Sequence, residues 1–169
     1  MITPAQVFPR IDPNKLCITS IRVLGANVSS NGLETIGDLD DLNVLIPPVE
    51  YQTEIFAKNT VNIPNKEFIT FLTIKLEGMD INKNKVGVNG EFKLEIKIRA
   101  EDLNLYLLPN EEKDGKSYTV IHNTLTGSMV GIAYSTCRGI VFMRTLGTAL
   151  EGVILPIVDP LKIPGVIAV

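Results

Sequence analysis

Residues 91–99 (EFKLEIKIR) alternate apolar and charged side chains without a break. Phe92, Leu94, Ile96 and Ile98 share one side, while Glu91, Lys93, Glu95, Lys97 and Arg99 share the other. Successive side chains of a strand point to opposite faces, so this pattern describes an antiparallel strand with one face on a core and one in water. Residues 67–77 (EFITFLTIKLE), dense in Phe, Ile, Thr and Leu, supply a partner strand. Between them, residues 78–90 are rich in Asp, Asn, Lys and Gly, and Asn89-Gly90 is a favoured type I′ turn pair. A hairpin is therefore expected, and with it a sheet whose apolar face has to be covered.

The flanking segments extend that sheet. Residues 16–28 (LCITSIRVLGANV) are rich in β-branched side chains and stop at the turn-forming run 27–32, which predicts a first strand. Residues 33–48 show no sustained period and read as a long connection with a short strand at 43–46, closed by Pro47-Pro48. Residues 51–63 alternate loosely and predict another strand. Residues 103–108 (LNLYLL) predict a short one stopped by Pro109, and 110–116 (NEEKDGK) a solvated loop. The period then changes. Met129, Ile132, Ala133, Thr136, Ile140 and Met143 recur at three- and four-residue steps, which predicts a helix over 129–146. Gly127 and Ser128 mark its start and Gly147 its end. Gly131 and Gly139 inside it each cost about 1 kcal/mol relative to alanine, and let another segment approach closely. In the apolar tail, 153–169, Pro156, Pro160 and Pro164 recur every four residues, so no helix runs through it. The expected architecture is one α+β domain, 1–169: a four-stranded antiparallel sheet with one main helix packed on it.

Composition narrows the function classes. Of 169 residues, 45% are hydrophobic and 21% charged, with a net charge of −3. That excludes a disordered chain, and no basic patch marks a nucleic-acid binder. No apolar run approaches the roughly eighteen residues of a membrane helix, so no membrane insertion is expected. Residues 1–10 lack the basic start and apolar core of a signal peptide, which makes a cytoplasmic protein the default.

Catalytic and metal constellations fail on their spacing. Cys17 and Cys137 form no C-x-x-C pair, and His122 is the one histidine, so neither a zinc site, a disulfide framework nor a His-based triad is expected. Gly127-Ser128-Met129-Val130-Gly131 is no nucleophile elbow, because Thr126 stands where G-x-S-x-G requires glycine. Cys137 reads as a small core hydrophobe. Asp38, Asp40 and Asp41 lack the further oxygens and closing glutamate of a calcium loop. The chain is expected to be no enzyme and to need no cofactor.

Three blocks in order resemble the SecB family of export chaperones. The first is the opening strand with Ile18, Ile21 and Val23. The second is the return strand Phe92-Lys93-Leu94-Glu95-Ile96. The third is a helix with Tyr134, a Thr/Gly turn at Arg144-Thr145-Leu146-Gly147-Thr148, and the apolar segment Val153-Ile154-Leu155-Pro156-Ile157-Val158-Asp159. Their order and spacing agree over residues 16–161. There are departures. Glu101-Asp102-Leu103 follows Ala100 in place of the family's A-G-x-F-like strand end. Val28-Ser29-Ser30-Asn31 stands where an acid meets the SecA motor, so SecA binding is not implied. Pro160 and Pro164 occupy the place of a second helix. The chain is similar to a shortened, divergent member, of the export kind or of the kind attached to toxin–antitoxin systems.

The resemblance implies an ATP-independent holdase for unfolded or preprotein polypeptides, assembled as a homo-oligomer, tetramer or dimer. The apolar residues expected to line its peptide groove are Val44, Ile46, Tyr51, Ile55, Phe56, Leu155 and Ile157. A structural or assembly protein with one fixed protein partner would use the same apolar surface, and that alternative stays open.

Overall fold

The one-sided strand predicted from residues 91–99 lies at the centre of the molecule. The computed structural model describes residues 10–30, 48–113 and 116–166. Four long strands, β1 (Leu16–Ser30), β2 (Glu50–Asn62), β3 (Glu67–Met79) and β4 (Lys85–Ala100), form an antiparallel sheet in the order β1-β4-β3-β2. A hairpin of β5 (Leu107–Lys113) and β6 (Lys116–Ile121) follows, and then α1 (Asn123–Thr145). Phe92, Leu94, Ile96 and Ile98 of β4 are each at most 1% exposed, facing α1 together with Phe68, Leu72, Ile74 and Leu76 of β3. Against them α1 buries Leu125, Met129, Val130, Ala133, Cys137 and Val141, at helical spacing. On the other face Glu95 sits half-way along β4, with Arg22 at 3.4 Å and Lys97 at 3.8 Å.

Four local expectations are corrected. Asn89 and Gly90 do not turn the chain; both lie inside β4, paired with β1 through Ser29 and Val28. A Cβ on Gly90 would fall 2.5 Å from Leu150 Cδ1, so a side chain there would force Leu150 to shift. The turn is made earlier, where the Asp80 carboxylate accepts the backbone N–H groups of Asn82 and Asn84, both at 2.8 Å, and Lys83 takes φ 64°. Those bonds, Asn84's first, hold the Asp80 carboxyl below the usual carboxylate range. Secondly, residues 103–106 form a 3₁₀ turn and not a strand, burying Leu103 and Tyr106. Thirdly, Pro109 does not stop the chain but lies inside β5, and the polar 110–116 segment is largely strand, closing the second hairpin. Fourthly, α1 begins at Asn123, capped by His122 Nδ1, which accepts the Thr124 N–H at 3.2 Å. The short strand expected at 43–46 lies outside the described residues.

Candidate functional site

The tail after α1 has little choice of backbone. Proline lacks an N–H and fixes φ, so Pro156 and Pro160 keep the chain extended with its carbonyls looking for donors. Two turns of α1 supply them, one helical repeat apart. The Tyr134 hydroxyl donates to the Pro156 carbonyl at 2.8 Å, and Arg138 Nε donates to the Leu155 carbonyl at 3.1 Å. Further toward the helix start, glycines let the tail lie close. A Cβ on Gly131 would stand 3.3 Å from Pro160 Cγ, and one on Gly127 would stand 3.4 Å from Leu161 Cγ. Tail and helix thus run antiparallel along the stripe 127-131-134-138. Asp159 caps a final 3₁₀ turn, Pro160–Lys162, by accepting the Leu161 N–H at 3.1 Å. Ile163 is then buried, and the Pro164 carbonyl accepts the Ala57 N–H of β2 at 2.9 Å.

That contact defines the site. β2 is an edge strand, and its register with β3 is unbroken. In an antiparallel ladder the inward and outward backbone groups alternate, so those of Thr53 and Ile55 face outward like those of Ala57. Among the described residues, the Pro164–Ala57 bond is the one backbone hydrogen bond onto that edge. Between the edge and the tail opens a groove of about 630 Å³, lined by Thr53, Glu54, Ile55 and Phe56 on one wall and Val158, Asp159, Lys162, Ile163 and Pro164 on the other. Its floor is apolar, and Glu54, Asp159 and Lys162 stand at its margins; Lys162 and Asp159 pair at 3.9 Å. Such an opening offers an extended peptide both the backbone of an edge strand and apolar contact. Two residues beyond Ala57, on the same face of β2, both polar atoms of the Asn59 amide are buried without a partner. So is the hydroxyl of Thr70, opposite it in register.

The residues named from the sequence fall into different places. Ile55 and Phe56 line the groove from opposite faces of β2, and Phe56 is 44% exposed. Tyr51 is half-buried near the start of β2, packed against the core, and burial raises its phenol pKa. Leu155 is 3% exposed and belongs to the core, while Ile157 is 87% exposed next to the groove residue Val158. Val44 and Ile46 lie outside the described residues. Sequence reasoning missed Thr53, Glu54, Val158, Asp159, Lys162, Ile163 and Pro164. The four-residue proline repeat was the available signal for the tail wall, since it demands an extended chain with unused carbonyls.

Reactive chemistry is not concentrated here. Burial pushes the Cys137 thiol up to about 12, so it stays protonated at neutral pH. Among the described residues no group of three His, Cys, Asp or Glu side chains could hold a metal ion, and no helix is long and apolar enough to cross a membrane.

A second apolar surface lies at the opposite edge of the sheet. Ile18, Ile21 and Val23 of β1 pair with Ile98, Ile96 and Leu94 and so point to the side that carries α1. The helix packs over β3 and β4, leaving them 39%, 46% and 39% exposed.

No family model and no curated protein matches the chain. Among solved structures it is similar to the SecB-like chaperone Rv1957 of Mycobacterium tuberculosis, solved in complex with a ChAD peptide from the antitoxin HigA1 (Rv1956). The two share 15% sequence identity and a TM-score of 0.53, over 86% of this chain and 92% of that one. The likeness is one of fold, which in this chain is a four-stranded antiparallel sheet with a single main helix.

Proposed function

We propose that the chain is an ATP-independent chaperone that holds non-native polypeptide in extended form along the outer edge of β2. The observation that carries this reading is the groove itself, an apolar trough beside a strand edge that, among the described residues, takes a backbone bond only at Ala57. A client strand laid there gains main-chain hydrogen bonds independent of its sequence and places alternate side chains on Ile55 and Phe56 or Val158 and Ile163. The fold shared with a chaperone seen holding an antitoxin peptide agrees with that use. The half-exposed stripe Ile18, Ile21 and Val23 supports assembly into a homo-oligomer, a tetramer in the arrangement the resemblance implies. The setting proposed is the cytoplasm, with preproteins or a toxin–antitoxin-linked protein as clients. With Ser29 and Ser30 at the end of β1, where the resemblance would place an acid, delivery to SecA is not part of the proposal.

The test is aggregation of several unrelated unfolded proteins, followed by light scattering without nucleotide. The protein should suppress aggregation of all of them. Replacing Ile55 and Phe56 together by serine should weaken holding at least fivefold while the mass of the assembly stays the same. Suppression confined to one protein would point instead to an assembly factor with a fixed partner. No suppression of any would refute both the groove and the holdase.

A further inference from the structure

We infer that the segment Pro164–Val166 is a tethered competitor for the client edge, which a bound polypeptide must displace. This inference rests on the holdase reading and adds to it where the site ends and what regulates it. The groove's lining on β2 ends at Phe56, and at the next residue the Pro164 carbonyl already accepts the Ala57 N–H, as a residue of a client strand would. Gly165 completes the contact with φ +87°, and a Cβ there would lie 2.2 Å from the Ala57 carbonyl oxygen. Only glycine lets the tail backbone come so near the edge.

The same geometry makes the tail a poor occupant. Pro164 has no N–H to return to the edge, so the tail satisfies the Ala57 donor where an ordinary peptide residue could donate as well as accept. A peptide carrying N–H groups through this stretch of β2 can donate to the outward carbonyls, that of Ala57 first, as Pro164 cannot. By the same alternation the client site on β2 runs from Thr53 to Asn59, with Ala57 within it already taken by Pro164.

The experiment combines exchange of the Ala57 amide hydrogen with binding of a short fluorescein-labelled peptide of alternating valine and threonine, read by anisotropy. Three proteins are compared: the parent, Gly165→Ala, and a chain stopped after Ile163, which serves if the point variant does not fold. In the parent the Ala57 amide is protected. In both variants it exchanges faster and the peptide binds about tenfold tighter, the gain expected if the edge is open about one-tenth of the time in the parent. Faster exchange with unchanged peptide affinity would overturn the competition and leave the holdase reading intact. An unprotected Ala57 amide in the parent would remove the contact itself. Failure of all three proteins to bind the peptide would overturn the client reading, and the competition with it.

Discussion

Tyr134 joins three parts of the molecule through one side chain. Its ring is buried among core residues, its hydroxyl holds the Pro156 carbonyl, and the tail it anchors forms one wall of the groove. Tyr134→Phe keeps the ring and leaves the carbonyl without its donor. The expected loss is about 1 kcal/mol, seen as a fall in Tm of about 2–4 °C for a chain of this length. Burial raises the Tyr134 phenol to about 12 from an ordinary 10.0, and the Cys137 thiol to about 12 from 9.0. The sign of the pH effect follows from proton binding. Above about pH 9 the unfolded chain releases protons that the folded chain keeps, so stability is level below that pH and falls between about 9 and 12. Urea unfolding across this window should show the decline. Tyr134→Phe with Cys137→Ala should make it shallower, and an unaltered slope would mean that other groups set it.

At the scale of elements, the two glycines in the middle of α1 answer to different demands. Gly139 has nothing within 4 Å of where a Cβ would be, whereas Gly131 has Pro160 against it. Gly139→Ala should therefore stabilise the protein by about 1 kcal/mol through helix propensity alone. Gly131→Leu should destabilise it by about 1–3 kcal/mol, because the larger side chain pushes the tail from the helix. Thermal unfolding of the two variants gives opposite shifts in Tm; shifts of the same sign would mean that the tail does not depend on this stripe. The contrast also explains what could be read in advance. Alternation in β4 was legible because each residue's side of the sheet is decided locally, by burial on one face. Asn89-Gly90 misled because its setting is not local: it lies inside β4, and Leu150, sixty residues away, packs against Gly90. The helix start was hidden because His122 is not among the usual caps. Residues 110–116 read as loop because their polar composition does not distinguish strand from coil. On the groove, Ile55 and Phe56 were visible as apolar residues on a strand. The opposite wall was not, since its closest contact is between the backbones of Ala57, Pro164 and Gly165, and backbone atoms leave no mark in composition.

For the whole molecule, strand order places the two apolar surfaces at opposite edges. The groove lies along β2 and the half-exposed stripe of Ile18, Ile21 and Val23 along β1, with β4 and β3 between them. Copies joined through β1 would carry their grooves at the far ends of a shared platform. A long unfolded chain could then engage two grooves at once, while a short peptide could engage only one. Linked binding raises apparent affinity by the effective concentration of the second site, often about a hundredfold or more, without any new contact. Ile21→Lys combined with Val23→Lys puts two like charges into the stripe without touching β2. By light scattering at micromolar concentration, the parent should be an oligomer and the variant a monomer of 18.5 kDa. The variant should bind a short valine–threonine peptide as the parent does and hold a full-length unfolded protein at least tenfold more weakly. A parent that is itself monomeric would remove β1 as an interface. An oligomeric parent whose monomeric variant loses short and long clients equally would show that the groove depends on the neighbouring copy for its shape, and that avidity is not what assembly adds.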